Sequence, residues 1–119
     1  MKIRYYNSQW SNIAVIDIKT DDKDYFYRLT ICKHHDNEDY LFLNATIWHK
    51  HLYTIYSNDI LSYQCDIYKS IEENIKAAVK HFTKIIDRVI DCINYQARLQ
   101  SGFNIHFTAK TGKRKAISI

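Results

Sequence analysis

From Asp66 to Gln100, apolar residues recur every three or four positions: Ile67, Ile71, Ile75, Val79, Phe82, Ile86, Val89, Ile90, Ile93 and Ala97. That is the period of an α-helix with one buried face. Asp66 is suited to cap its start, Glu72 and Glu73 lie near that end, and Gly102 stands just past the other, where helices often stop in a left-handed residue. A helix of that span is about 50 Å long. A compact chain of this size has a radius of gyration of about 13–14 Å. The helix must therefore kink, overhang the domain or pair with a second copy.

Ahead of the helix the period is two. Ile13 to Lys19 puts Ala14, Ile16 and Ile18 on one side and Val15, Asp17 and Lys19 on the other. Tyr25 to Lys33 and Tyr40 to Trp48 are two further strands, rich in aromatic and β-branched residues. Polar turns at 20–24 and 34–39 join the three, so an antiparallel meander is the simplest topology. Both faces of the second and third strands carry bulk: Leu29, Ile31, Leu41, Leu43 and Ile47 oppose Phe26, Phe42 and Trp48. One face should meet the helix. The other is either semi-exposed tyrosine and tryptophan or buried by a partner; the second is favoured, because contiguous exposed aromatic patches mark interaction surfaces.

Residues 1–6 read as a short strand. In residues 49–64, Leu52, Ile55 and Tyr56 could extend the sheet or begin a helix; a helical turn or short helix is the expectation, with Ser57 or Asn58 as its cap and a break or kink near Cys65 and Asp66. Beyond Gly102, Phe103, Ile105, Phe107 and Ala109 alternate with polar residues; Thr111 and Gly112 form a turn and Lys115 to Ile119 returns, which makes a C-terminal hairpin. The predicted class is α+β: one domain over residues 1–119, with an antiparallel sheet (the three-strand N-terminal meander plus the C-terminal hairpin) packed against one long helix.

Composition adds constraints. At 119 residues the chain can bury a core without disulfides or metals. It has no proline and two glycines, which favours long regular elements. Cys32, Cys65 and Cys92 are widely spaced and odd in number, the pattern of free thiols in a reducing compartment. Met1 to Tyr6 holds Lys2 and Arg4 with no apolar run, so neither a secretory signal nor a membrane span is expected, and a cytoplasmic protein is. Abundant Ile, Lys, Asn and Tyr, with ten tyrosines, suggest an AT-rich genome such as that of a phage or a low-GC microbe; if phage-encoded, the protein would act in the host cytoplasm.

The chemistry on offer is sparse. His34, His35 and Asp36 and the pair His49 and His51 bracket one strand and lie at its two ends, too far apart to share a metal; they read as solvated turn residues, and no metal or cofactor is expected. Asp87 and Asp91 are one helical turn apart but flanked by Lys84 and Arg88, as on a charged helix face. Two glycines ten positions apart admit none of the glycine-rich phosphate loops. Net charge is +4 and the isoelectric point about 8.9, which permits phosphate contact. Lys110, Lys113, Arg114 and Lys115 form a basic hairpin tip, and Lys76, Lys80, Lys84 and Arg88 a basic ridge on the helix.

These features predict a small non-enzymatic binding protein, of the kind phages and mobile elements encode as inhibitors (anti-CRISPR proteins among them), which occupies a surface on a host protein complex or other macromolecule. The alternative is a nucleic-acid-binding protein that uses the basic hairpin. The candidate contact residues are Lys110, Lys113, Arg114, Lys115, Lys80, Lys84, Arg88, Trp48, Tyr25 and Tyr27. A homodimer through the long helix is the companion expectation.

Overall fold

The computed structural model describes residues 1–8, 12–34, 37–51 and 53–112, with the side chains of residues 34, 37 and 38 left aside. Five strands form one antiparallel sheet in chain order: β1 (Lys2–Asn7), β2 (Asn12–Lys19), β3 (Tyr25–His34), β4 (Asn37–His49) and β5 (Tyr53–Gln64). Two helices, α1 (Ile71–Lys84) and α2 (Ile86–Ser101), follow and pack on one face. The molecule measures 44 × 32 × 23 Å.

Strand alternation decides which side chains face the helices. Ala14, Ile16 and Ile18 on β2, Tyr27, Leu29 and Ile31 on β3, and Leu41, Leu43, Ala45 and Ile47 on β4 are fully buried. They meet Ile75, Ala78, Val79 and Phe82 of α1 and Ile86, Val89, Ile90, Ile93 and Ala97 of α2 in one core. The α+β class and the three-strand meander hold, enlarged by β1 at one edge and β5 at the other.

Three expectations need correction. Residues 53–64 form a strand, not a helical segment. Ser57 and Asn58, which suggested a helix cap, bond sideways instead: Ser57 shares a 3.1 Å hydroxyl contact with Thr46 and Asn58 donates to Gln100 at 3.4 Å. Their neighbour Asp59 accepts from Asn44 at 3.1 Å. Register shifts in β4 and β5 absorb the irregularity of this long pairing.

The long helix is two. Its first turn begins at Ile71, where Ser70 and Glu73 form a reciprocal capping box. Asp66 instead accepts from the Tyr68 amide at 2.9 Å, and its own amide donates to the buried Asn74 at 2.7 Å. Ile67, counted in the apolar stripe, stands 79% exposed. The break falls at Ile85 (φ −111°, ψ 27°). Just before it, Thr83 turns its hydroxyl back onto the carbonyls of Val79 and Lys80 at 2.8 and 3.1 Å, a pattern that bends helices. The helix therefore kinks, and the length argument for a dimer goes with the kink. Gly102 (φ 69°) ends α2 as expected, its amide donating to the Arg98 carbonyl at 3.1 Å.

The segment after Gly102 is no hairpin arm over its described length. It runs back under the end of the sheet, where Phe107 stacks on Tyr25 at 4.9 Å and meets Tyr27 edge-on at 5.9 Å. A single bridge joins Ala109 to Thr20. The Lys110 amide donates to the Lys19 carbonyl at 2.7 Å, and Thr111 donates to Asp87 at 3.0 Å. Burial of two rings against the strand ends outweighs the alternation that suggested a hairpin. Among the described residues no helix is long and apolar enough to cross a membrane.

Candidate functional site

Among the described residues no element covers the face of the sheet opposite the helices. Phe26, Arg28, Thr30 and Cys32 of β3 and Tyr40, Phe42, Asn44, Thr46 and Trp48 of β4 are all half-exposed there. They are out of phase with the buried stripe by one residue, and that phase is what puts them outside.

One end of this face carries a cluster. Phe26 and Trp48 are direct cross-strand neighbours with ring centroids 6.4 Å apart. The Arg28 guanidinium lies over both rings, at 5.4 Å from Phe26 and 6.0 Å from Trp48. Asp17 on β2 fixes that guanidinium at 2.9 Å and also holds Arg4 of β1 at 2.6 Å. The carboxylate neutralises only one of its two partners, so the trio keeps a positive charge.

Beside the rings opens a hollow of about 830 Å³, where β1 begins, β2 ends and β3 begins. Lys2, Lys19, Lys23, Arg28 and Lys110 line it against the carboxylates of Asp17 and Asp21. The docked C-terminal segment is what brings Lys110 there, through its backbone bond to Lys19. A concave wall with excess positive charge concentrates anions.

Behind the hollow, on the helix side, lies a second cluster. His49 stacks on Tyr53 at 4.4 Å, meets Tyr25 edge-on at 4.9 Å, and accepts from the His51 amide at 3.1 Å. Lys50 pairs with Asp24 at 2.8 Å and holds its carboxyl below the usual carboxylate range. A hydrogen bond with Tyr53 raises Tyr25 above the usual phenol value. Among the described residues no group of three His, Cys, Asp or Glu side chains has the arrangement to hold a metal ion.

The residues singled out from sequence scatter across the molecule. Trp48 stands in the ring cluster and Lys110 lines the hollow, two places that share Phe26 and Arg28. Tyr27 is fully buried and donates to Asn94 at 2.6 Å, so it offers no outer surface. Tyr25 packs under the C-terminal segment and only edges the hollow. Lys80, Lys84 and Arg88 are exposed on the helix layer, on the opposite side from Trp48. Lys113, Arg114 and Lys115, like His35 and Asp36, lie outside the described residues. Sequence reasoning missed Phe26, Arg28, Lys2 and Lys19 as a group. Their phase was readable, but their meeting depends on the order of strands. Compared with known proteins, the chain matches no family model, no curated protein and no solved structure.

Proposed function

We propose that this chain works by binding rather than by catalysis, and that its target is a polyanion held on the uncovered sheet face. The observation that carries this is the convergence of Lys2, Lys19, Arg28 and Lys110, from four separate parts of the chain, around one hollow beside two surface rings. The isoelectric point of about 8.9 agrees with it. Retention on heparin and titration of labelled nucleic acid across a salt series test it. Binding near physiological salt, with an affinity that falls steeply as salt rises and a slope reduced in Lys19→Glu and Lys110→Glu, is expected. Absence of binding to heparin, DNA and RNA alike overturns it.

A second surface favours a second reading, the inhibitor that occupies a host protein. Between β5 and α1 the chain holds out Ile67 and Tyr68, 79% and 91% exposed. Two large side chains so presented suit a groove on a protein partner. Under that reading Tyr68→Ser abolishes capture of the partner and leaves heparin retention unchanged.

A further inference from the structure

We infer that the polyanion is a single-stranded nucleic acid, its bases stacked on Phe26, Trp48 and the Arg28 guanidinium and its phosphates led along Lys2, Lys19 and Lys110. This rests on the polyanion reading and narrows it.

Shape and chemistry separate a single strand from a duplex here. Five strands about 4.8 Å apart make a face about 19 Å across. The major groove of duplex DNA is about 12 Å wide and admits a two-stranded ribbon or one helix. The sheet face cannot enter it, so a duplex could offer this surface only phosphates. Phosphates alone leave the rings unused, although they stand at the rim of the basic hollow. A single strand offers both: charge for the lysines and unstacked π-faces for the rings.

The geometry is also prepared. Asp17 orients Arg28 across both rings and Arg4 beside them, so the guanidinium plane is fixed before a ligand arrives. Lys19 and Lys110 are tied together through the backbone and both side chains are exposed. The middle of the face is different. Asn44, Thr46, Ser57 and Asp59 bond to one another, and this polar patch separates the ring end from Phe42 and Tyr40 further along β4.

The test is fluorescence anisotropy with labelled oligothymidine, oligouridine and a duplex of equal length, with heparin as competitor. Trp48 emission is followed in parallel in a Trp10→Phe background. The single strands should bind at least tenfold tighter than the duplex and quench Trp48. Phe26→Ala should weaken single strands about tenfold and heparin by much less, since one base stack is worth about 1–3 kcal/mol and heparin has no base to stack. Phe26→Leu keeps the apolar bulk without the ring and guards against a folding defect; it should behave as Phe26→Ala does. Preference between oligothymidine and oligouridine assigns DNA or RNA. If duplex and heparin bind as tightly as single strands and both Phe26 variants bind normally, the single-strand inference falls and the polyanion reading stands. If nothing binds, both fall.

Discussion

At the scale of single residues, two buried tyrosines make opposite predictions. The Tyr27 hydroxyl donates to Asn94 at 2.6 Å, whereas the buried Tyr56 hydroxyl has no hydrogen-bond partner among the described residues. A buried polar group with its bond made contributes modestly, and one without it carries an unrecovered loss of hydration. Tyr27→Phe should therefore cost about 1 kcal/mol and lower Tm, because it also strands Asn94. Tyr56→Phe should leave Tm unchanged or raise it. Thermal unfolding of the two variants side by side checks both signs. Cys32 gives another residue-level prediction. Partial burial on the open face raises its thiol above the usual value, so less thiolate is present near neutrality. Alkylation should be slow near pH 7 and speed up as pH rises. Oligothymidine should slow it further if the ligand extends past the ring end to Cys32 and Phe42. Cys65, packed against the core at the end of β5, serves as the internal reference.

At the scale of elements, the parts read correctly from sequence are those governed by one periodicity and one buried face. Ile75, Val79, Phe82, Ile86, Val89, Ile93 and Ala97 all turn inward as the helical period requires. The alternation in β2, β3 and β4 likewise assigns inside and outside correctly. What was not legible depends on neighbours brought from far along the chain. Ser57 and Asn58 look like cap residues in isolation and become cross-strand and strand-to-helix partners only once β4 and α2 lie beside them. Asp66 and Ser70 both suit a cap; the reciprocal Ser70–Glu73 bonds decide between them. Ser70→Ala should consequently cost about 1 kcal/mol and fray the first turn of α1, seen as a Tm loss and faster amide exchange at residues 71–74. Asp66→Ala, by contrast, removes a turn contact and should leave that exchange unchanged. The candidate site follows the same rule. Trp48 and Lys110 could be named singly, but the set of Phe26, Arg28, Lys2 and Lys19 exists only in the meander's strand order.

At the scale of the whole molecule, the fold is two-layered and therefore one-sided: helices cover the inner face of the sheet and, among the described residues, no element covers the outer one. Edge strands are handled modestly. β1 carries Lys2 and Arg4, and β5 is irregular in its pairing, both features that discourage edge-to-edge association. The basic ridge stands on the helix layer, whereas the rings stand on the outer face of the sheet.

The meander order also governs how the fold is reached. Every strand pairs with the one made just before it, so the sheet can close hairpin by hairpin with short loops and little loop-closure entropy at each step. During synthesis it would be complete in outline while its apolar inner face still awaited α1 and α2, an interval in which that face invites aggregation. In chain order, the last described segment to be synthesised is the one carrying Phe107 and Lys110. The basic wall of the hollow is thus complete only after that segment is made, and a chain stopped short of it would hold its sheet yet lack the lysine that completes the rim.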